Sequence, residues 1–483
     1  MEKSKTRVLC WDEKNIETRS NIEIRMHKPE KKNLALVCED EWEGVHNGYG
    51  SVMKVGDTYR FYYRADASRH MMSGKLSPSP SVICVAESRD GITFEKPNIG
   101  KYDFNGTKNN NIVFARDKHI DNFSVFLDQN PNCPPDERFK ALSACRIDGK
   151  ETLLWYASED GYGFTEKGAL ELHGTFDSFN VMLWDASTQQ YFLFYRAFHK
   201  PDGHDLYDFR DIHLVNDIRD IRVATSKDFR SWTEHGQIRF EAGQDDYPLY
   251  TNQIAKYPRA QNMFVGFPVR YCDRAAQKEN FAHMPLGDRH ENITALFGRE
   301  GTSVTDCVIM TSHDGFTFDR RDEAYLTPGV ENRYNWWYGN CYTAYGFVET
   351  PAEERDAPRE LSMYVGEGYR IKNVSFRRYT LRLDGFFSWF GSYRGGEVLT
   401  KTFLAEGDKM FVNFASSAVG GMEIAICNTD GTPIEGYESG VIFGDSTDRP
   451  VKFKKDLSLL RGQTVRLKFR LRDCHLYSYC FES

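Results

Sequence analysis

The turn Ser88-Arg89-Asp90-Gly91-Ile92-Thr93-Phe94 decides the fold, because the chain repeats it at nearly constant spacing. Related turns surround Asp160, Asp228 and Asp314, and a more divergent copy surrounds Asp384. Successive aspartates are separated by 70, 68, 86 and 70 residues. Aspartate hydrogen-bonds the backbone two residues on, and glycine adopts a positive φ at little cost, so both suit a tight corner. The spacing predicts five structural units of about 70 residues.

The segments between these turns read as short strands. In the first unit, residues 50–55 and 58–65 form an aromatic-rich strand pair around Gly56-Asp57, and residues 82–86 form a third strand. The third unit matches it over residues 179–185 and 191–197. Four strands per unit, joined by turns rich in Gly and Asp, are typical of a propeller blade. The sequence therefore predicts an all-β protein with a five-bladed propeller over residues 35–390, after an N-terminal extension at 1–34.

The pattern changes after the last corner. From residue 391 to 483 the chain alternates apolar and polar residues in short runs, as in 410–414, 422–426 and 464–471. Period-two alternation interrupted by Gly and Asp turns indicates half-buried strands. We expect a β-sandwich here, serving as a structural appendage or a sugar-binding module.

Composition excludes several classes of protein. Lysine and arginine number 62 against 70 aspartates and glutamates, and the net charge of −8 argues against a nucleic-acid partner. No run approaches the ~18 apolar residues of a membrane helix, and the N-terminus lacks the apolar core of a secretory signal. The 11 cysteines are scattered and form no Cys-x-x-Cys pair. We expect reduced thiols, a cytoplasmic location and neither metal nor cofactor.

The mouth of the propeller channel is the expected site, since the residues before each innermost strand converge there. Carboxylates recur at this point: Glu43 in blade one, Asp121 in blade two and Asp177 in blade three. Two carboxyl groups in unlike environments provide the acid and the base or nucleophile of glycosidic cleavage. The remaining candidates follow the second strands or supply aromatic platforms for a sugar ring, and they are Arg64, Arg146, Arg196, Arg270, Glu367, Trp42, Trp336, Trp337 and Tyr338.

This combination resembles glycoside hydrolases of families 32 and 43 and their relatives, in which a five-bladed propeller precedes a β-sandwich. The resemblance implies an acid in blade one as nucleophile or base, one in blade two as orienting group, and one in blade three as proton donor. Carried over by position, these roles fall on Glu43, Asp121 and Asp177. The chain departs from the family pattern in two respects: the Asn-Asp-Pro-Asn-Gly signature of family 32 is absent, and the third acid is Asp instead of Glu.

Alternatives remain open from the sequence. The protein can be a non-catalytic carbohydrate-binding propeller whose acids are structural. The corner turns also resemble the Asp boxes of sialidases, although five blades in place of six argue against that class. The arginines suit phosphate as well as a sugar, so a phosphorylase is a further reading. The expected partner in every case is a carbohydrate. The sequence does not fix the sugar, the linkage or the oligomeric state.

Overall fold

The computed structural model describes residues 5–66, 69–70, 75–76, 81–116, 120–214, 216–285, 294–295, 298–370 and 374–482. Nearly all regular structure in these residues is strand. Helical segments with described bounds are single turns, at Pro135–Glu137, Phe209–Asp211, Ala275–Gln277, Lys278–Phe281, Gly298–Gly301 and Leu457–Leu460.

Five antiparallel sheets form the blades. Blade one contains Gly48–Val55, Thr58–Ala65, Val82–Ser88 and Ile112–Ala115; blade two contains Ser124–Leu127, Phe139–Ile147, Lys150–Ser158 and Thr165–Leu170. Blade three contains Val181–Asp185, Gln190–His199, Ile218–Ser226 and Thr233–Gln237, with Asp205–Leu206 beside the second strand. Blade four contains Ala255–Lys256, Phe264–Gly266, Met310–Ser312 and Thr317–Arg320, with Arg239–Phe240 parallel to the last. Blade five contains Val348–Thr350, Glu360–Glu367, Ser375–Arg382 and Glu30–Val37.

Two short pairs lie outside these sheets. Val269–Asp273 pairs with Ser303–Cys307, and Arg69–His70 pairs with Lys75–Leu76. The first pair continues from the second and third strands of blade four.

The first strand of each blade lines the centre of the ring. Ser51 in blade one forms a parallel bridge with Tyr345, just before the first strand of blade five. Val125 of blade two donates its N–H to the Ser51 hydroxyl at 3.1 Å, and the Tyr345 hydroxyl donates to the Met182 carbonyl of blade three at 2.7 Å. The predicted five-bladed propeller is confirmed.

The repeated turns form corners of one construction at the ends of the third strands. In blade one, the Gly91 N–H donates to the Ser88 hydroxyl at 2.9 Å, and the Ile92 N–H donates to the Asp90 carboxylate at 2.8 Å. The same serine–aspartate pairing recurs at Asp160, Asp228 and Asp314. These carboxylates bond their own backbone and lie at the face opposite the mouth.

The N-terminal segment takes part in both halves of the molecule. Glu30–Val37 is the outer strand of blade five, where it pairs with Ser375–Arg382 and closes the ring. The earlier strands Lys5–Leu9, Ile16–Ser20 and Ile22–Met26 pair with strands of the C-terminal sheet. The domain boundaries at residues 34 and 390 stay a proposal. The strand pairing shows in addition that both the propeller and the C-terminal sheet contain strands from the N-terminal segment.

The C-terminal half is one ten-stranded sheet that curls around its own core, consistent with the predicted sandwich. Its spine consists of two strands of 19 residues, Lys409–Cys427 and Thr464–Glu482, which pair along most of their length. A register shift after Ser416 bends the first of them. Side chains from both halves of the bend, including Phe414 and Ile424, share one apolar cluster. The other strands are Phe387–Gly391, Gly396–Thr400, Phe403–Leu404, Pro433–Ile442 and Asp445–Val451.

Asp384, the fifth repeat aspartate, lies fully buried where the two halves meet. Its carboxylate pairs with Arg7 at 2.8 Å and with Arg259 of blade four at 2.9 Å. It also accepts hydrogen bonds from the hydroxyls of Tyr257 and Ser478. Burial opposes ionisation, but the two arginines hold the pKa of this carboxyl below its ordinary value.

All eleven cysteines are free thiols. Within the described ranges, no helix has the length and apolar character needed to cross a membrane.

Candidate functional site

The mouth of the channel is the face where the five innermost strands begin. The second strand of each blade ends there and the third begins there, so the hairpins between them form the rim. Three carboxyl groups on this face, Asp121, Asp177 and Glu151, come from blades two and three.

Asp121 lies just before the first strand of blade two, and its side chain is 44% exposed. Arg64, at the end of the second strand of blade one, donates to the Asp121 backbone carbonyl and lies 3.4 Å from its carboxylate. The Arg64 side chain is itself 1% exposed. A buried cation therefore holds an accessible carboxylate at the mouth.

Asp177 occupies the corresponding place in blade three. Its carboxylate lies 3.3 Å from the guanidinium of Arg196 and accepts a hydrogen bond from the Thr175 hydroxyl at 3.1 Å. Its side chain is 23% exposed, whereas Arg196 is buried and also donates to the Tyr250 carbonyl. Blades two and three thus present the same arrangement, a carboxylate open to solvent above a buried arginine.

Glu151 is a third carboxyl at this face, and sequence reasoning missed it. It lies on the rim hairpin of blade two and contacts Arg146 at 3.5 Å, with a side chain 16% exposed. Burial raises the pKa of the Glu151 carboxyl, and although Arg146 opposes this, the nearby charges of Asp177 and Asp121 raise it further. Glu151 is the group at the mouth whose surroundings favour its protonated form.

Glu43, the predicted blade-one acid, is enclosed instead. Its side chain is fully buried, and its oxygens accept hydrogen bonds from the Tyr63 hydroxyl at 2.5 Å and from Lys96 at 2.7 Å. The Asp40 N–H donates to it as well, at 2.8 Å. Burial raises the pKa of this carboxyl while Lys96 opposes the shift. None of these partners contacts Asp121 or Asp177, so the function proposed below does not use Glu43.

Blade one contributes a histidine at the mouth. His46 is buried, with Nδ1 3.1 Å from Asp66 and Nε2 in contact with the Tyr369 hydroxyl. Burial and the charge of Arg64 lower the pKa of His46 well below its ordinary value, although Asp66 opposes them. A neutral imidazole therefore links a buried carboxylate to a tyrosine.

Tyrosines, not tryptophans, pack around the mouth. Tyr338, one of the predicted platforms, shares a hydrogen bond of 2.6 Å with Tyr250, which stacks on Tyr342 at 5.9 Å between centroids. Tyr369 packs beside Tyr338 at 5.9 Å. Such rings suit the C–H faces of a sugar.

The predicted tryptophans have other surroundings. Trp42 donates its indole N–H to Asn111 at 2.9 Å and packs edge-on to Phe104. Trp337 is completely buried, and Trp336 donates to the Gly329 carbonyl at 2.7 Å. The position of a residue in the repeat does not reveal which way its ring points.

The other predicted polar residues are held by partners of their own. Arg270 forms a two-point pair with Asp306, at 2.7 and 2.6 Å. Glu367 pairs with Arg377 and Lys31, both at 2.9 Å. Arg146 contributes to the mouth through its ion pair with Glu151.

His199 occupies the rim of blade three between two carboxylates. Its Nδ1 lies 2.9 Å from Asp220 and its Nε2 2.7 Å from Asp246. Burial opposes protonation, but the hydrogen bonds to both acids raise the pKa of His199 to about 9. Among the described residues, no cluster of three or more His, Cys, Asp or Glu side chains is arranged to hold a metal ion.

This pairing predicts a pH-dependent stability. The folded-state pKa of about 9 exceeds the unfolded value of about 6.5, so the stabilisation by His199 is complete below about 6.5 and is lost as the pH rises through 9. We expect His199→Gln to lower the melting temperature most at pH 6 and least at pH 10. A melting-temperature difference independent of pH over this range would contradict it.

A separate cavity of about 590 Å³ opens at the opposite end of the channel, between Lys54, Trp184 and Phe347. It contains none of the predicted catalytic residues and lies beside the ends of the innermost strands. We propose the mouth as the candidate site, because Asp121 and Asp177 lie there at corresponding points of neighbouring blades.

No protein-family model matches this sequence, and no curated protein matches it. Solved structures with similar folds include a fructofuranosidase from Schwanniomyces occidentalis in complex with fructosylnystose, at 10% identity and a TM-score of 0.41, covering 94% of this chain and 98% of that one. Another is a thermostable family-43 glycoside hydrolase, at 13% identity and a TM-score of 0.39, covering 72% of this chain and 92% of that one. A third is an N-acetylgalactosamine deacetylase from F. plautii in complex with blood group B trisaccharide, at 10% identity and a TM-score of 0.41, covering 91% of this chain and 98% of that one. Similarities this distant do not select an activity.

Proposed function

We propose that this protein is a glycoside hydrolase that cleaves a glycosidic bond in an oligosaccharide with carboxyl groups at the mouth of its propeller. One observation carries the proposal. Asp121 and Asp177 lie at corresponding points of neighbouring blades, each open to solvent and each beside a buried arginine, on the face where Glu151 has a raised pKa. Carboxyls in unlike environments are what this reaction needs.

The environments suggest a division of roles. Arg196 faces Asp177 and Arg64 faces Asp121, so these two carboxylates suit the charged parts: base or nucleophile, and stabiliser of the positive charge that develops on the sugar. Glu151 suits the proton donor, since its surroundings favour the neutral acid. This proposal moves the donor role that the family resemblance gave to Asp177 onto Glu151.

The test is hydrolysis of a panel of aryl glycosides by the full chain, followed by liberation of reducing sugar from natural oligosaccharides. Glu159→Gln is the matched control. This exposed carboxyl belongs to blade two, like Asp121 and Glu151, but it lies beside a corner at the face opposite the mouth. Activity that survives in an Asp121→Asn, Asp177→Asn double variant would overturn the assignment of the site.

Replacing Glu151 by Gln should make the rate depend on the leaving group. We expect a loss of about 10²–10⁴-fold with poorly acidic leaving groups and little loss with dinitrophenolate, which departs without a proton. The activity of the parent should fall as the pH rises through the pKa of Glu151, and the variant should lack this alkaline limb. Equal losses for both kinds of leaving group would show that Glu151 is not the donor.

The same panel separates the alternatives. A carbohydrate-binding propeller without catalysis binds sugars in calorimetry but releases no phenol from any glycoside. A phosphorylase requires inorganic phosphate and forms a sugar phosphate. The mouth favours hydrolysis over both, because it combines accessible carboxylates with a carboxyl of raised pKa.

A further inference from the structure

Arg219 is a buried cation near the start of the third strand of blade three. Its side chain is 2% exposed, and its one described hydrogen bond runs from Nη1 to the Leu214 carbonyl at 3.1 Å. The Nε and Nη2 atoms are buried and have no hydrogen-bond partner. In the described part of the chain, no carboxylate lies within 4 Å of this guanidinium.

Every other buried arginine of the described residues contacts a carboxylate. The pairs are Arg64 with Asp121, Arg196 with Asp177, Arg222 with Asp205 and Asp220, Arg320 with Asp322, Arg370 with Glu300, and Arg378 with Glu353 and Glu360. Burying a charge without a counter-charge is strongly unfavourable. Arg219 therefore stands apart as a buried cation whose counter-charge the fold does not supply.

The surroundings of Arg219 add more positive charge. Its guanidinium lies 4.5 Å from the centre of the Tyr271 ring, and Arg299 lies 5.1 Å from the same ring. Arg299 also has a buried Nη1 atom without a partner, as does the Tyr271 hydroxyl. Burial and the charge of Arg196 lower the pKa of Arg219, and Arg299 acts in the same direction. Two arginines and a hydroxyl thus offer unused donors around one aromatic ring.

This cluster adjoins the catalytic carboxylates. The Arg196 guanidinium contacts Asp177 on one side and lies 4.9 Å from the Tyr250 ring on the other. Arg219 lies 5.6 Å from the same Tyr250 ring. The unused donors are therefore one aromatic ring away from the arginine that holds Asp177.

We propose that the mouth binds an acidic sugar whose carboxylate contacts Arg219 and Arg299, so that the substrate is a uronic acid-containing saccharide. The inference rests on the proposed function and names its substrate class. A guanidinium binds a carboxylate through two parallel hydrogen bonds, and Tyr250 and Tyr271 offer apolar faces to the ring that carries it. A monoanion fits better than a free phosphate dianion, because the Asp177 carboxylate, held by the neighbouring Arg196, repels a second negative charge.

Calorimetry on the full chain tests this with D-glucuronate and D-galacturonate, against D-glucose and D-galactose as neutral partners of the same ring shape. At least one uronate should bind and its neutral partner should bind at least ten-fold more weakly. Arg219→Gln should weaken uronate binding by at least ten-fold. Arg219→Lys keeps the charge but cannot form two parallel hydrogen bonds, so its uronate affinity should lie between those of the parent and Arg219→Gln. Equal binding of acidic and neutral sugars, or binding of inorganic phosphate alone, overturns the proposal.

Two variants guard against a loss of folding. Arg299→Gln removes the second cation from a residue that is only half-buried, and it should also weaken uronate binding. Arg320→Gln removes a fully buried arginine that already contacts Asp322, and it should leave uronate binding unchanged. If Arg320→Gln weakens binding as much as Arg219→Gln does, the effect is general and the proposal fails.

The outcome is separable from that of the proposed function. In an Asp177→Asn variant, uronate binding should persist while hydrolysis is lost. Hydrolysis of neutral glycosides that is insensitive to Arg219→Gln would keep the hydrolase and discard the acidic substrate. Uronate binding without cleavage of any uronide would keep the acidic ligand and discard catalysis.

Discussion

Asp177→Asn is expected to lower kcat by about 10²–10⁴-fold with every leaving group, because an amide cannot act as base, nucleophile or charge stabiliser. The substitution keeps the shape of the side chain. Arg196 is also held by the Tyr250 carbonyl, so the mouth should keep its architecture. The measurement is steady-state hydrolysis of two aryl glycosides that differ widely in the acidity of the released phenol.

The comparison with Glu151→Gln makes this prediction specific. Loss of the proton donor should depend on the leaving group, whereas loss of Asp177 should not. Circular dichroism and the melting temperature of both variants should match the parent, as should the activity of Glu159→Gln. A selective loss with poor leaving groups in Asp177→Asn would return the donor role to Asp177, as the family resemblance first implied.

Asp384→Asn is expected to lower the free energy of unfolding by about 3–5 kcal/mol, the usual effect of removing one partner from a buried ion pair. The carboxylate is completely buried, and Arg7 is only 6% exposed, so the substitution removes the 2.8 Å ion pair of a buried cation and leaves it only Asp448 at 3.9 Å. Arg259, at 20% exposure, loses its 2.9 Å contact with Asp384 and keeps Glu349 at 3.6 Å. Urea denaturation followed by intrinsic fluorescence measures the change.

Asp90→Asn is the matched control, since Asp90 occupies the same place in the corner of blade one. Its carboxylate bonds only the local turn through Ser88 and Ile92. The expected loss is about 1 kcal/mol, that of an ordinary hydrogen bond. Equal losses at the two positions would show that Asp384 acts as another corner residue and not as the link between the two halves.

Much of the fold could be predicted from the sequence, because the feature that builds it is local. A Ser-x-Asp-Gly corner is satisfied by its own backbone, so its spacing reveals the number of blades. Closure of the ring could not be predicted in this way. Glu30–Val37 precedes the first corner, and its partner Ser375–Arg382 lies at the far end of the repeat. Nothing in either segment alone specifies the pairing.

The residues of the candidate site also differ in whether local sequence reveals them. Asp121 and Asp177 could be proposed from the sequence because they precede innermost strands, whose starting points must converge. Glu43 satisfies the same rule, but hydrogen bonds from Lys96 and Tyr63 enclose its carboxylate, and only three-dimensional packing reveals these partners. Glu151 and Arg219 occupy corresponding places, the second residues of the third strands of blades two and three, but one is acidic and the other basic, so the repeat singles out neither. An unpaired buried arginine would be recognisable in sequence only if its neighbours were already known.

The position of Glu30–Val37 in blade five limits the order in which parts of the nascent chain can fold. Val37 pairs with Ser375, about 340 residues later, and Lys5–Leu9 pairs with the last strand of all. At ribosomal rates of about 5–20 residues per second, Glu30–Val37 waits roughly 20–70 s for its partner strand, and Lys5–Leu9 waits roughly 25–95 s. During that time Glu30–Val37 and the N-terminal strands Lys5–Leu9, Ile16–Ser20 and Ile22–Met26 have been made but lack the strands with which they pair. Blade five and the C-terminal sheet therefore form late, once Ser375–Arg382 and Thr464–Glu482 have been synthesised.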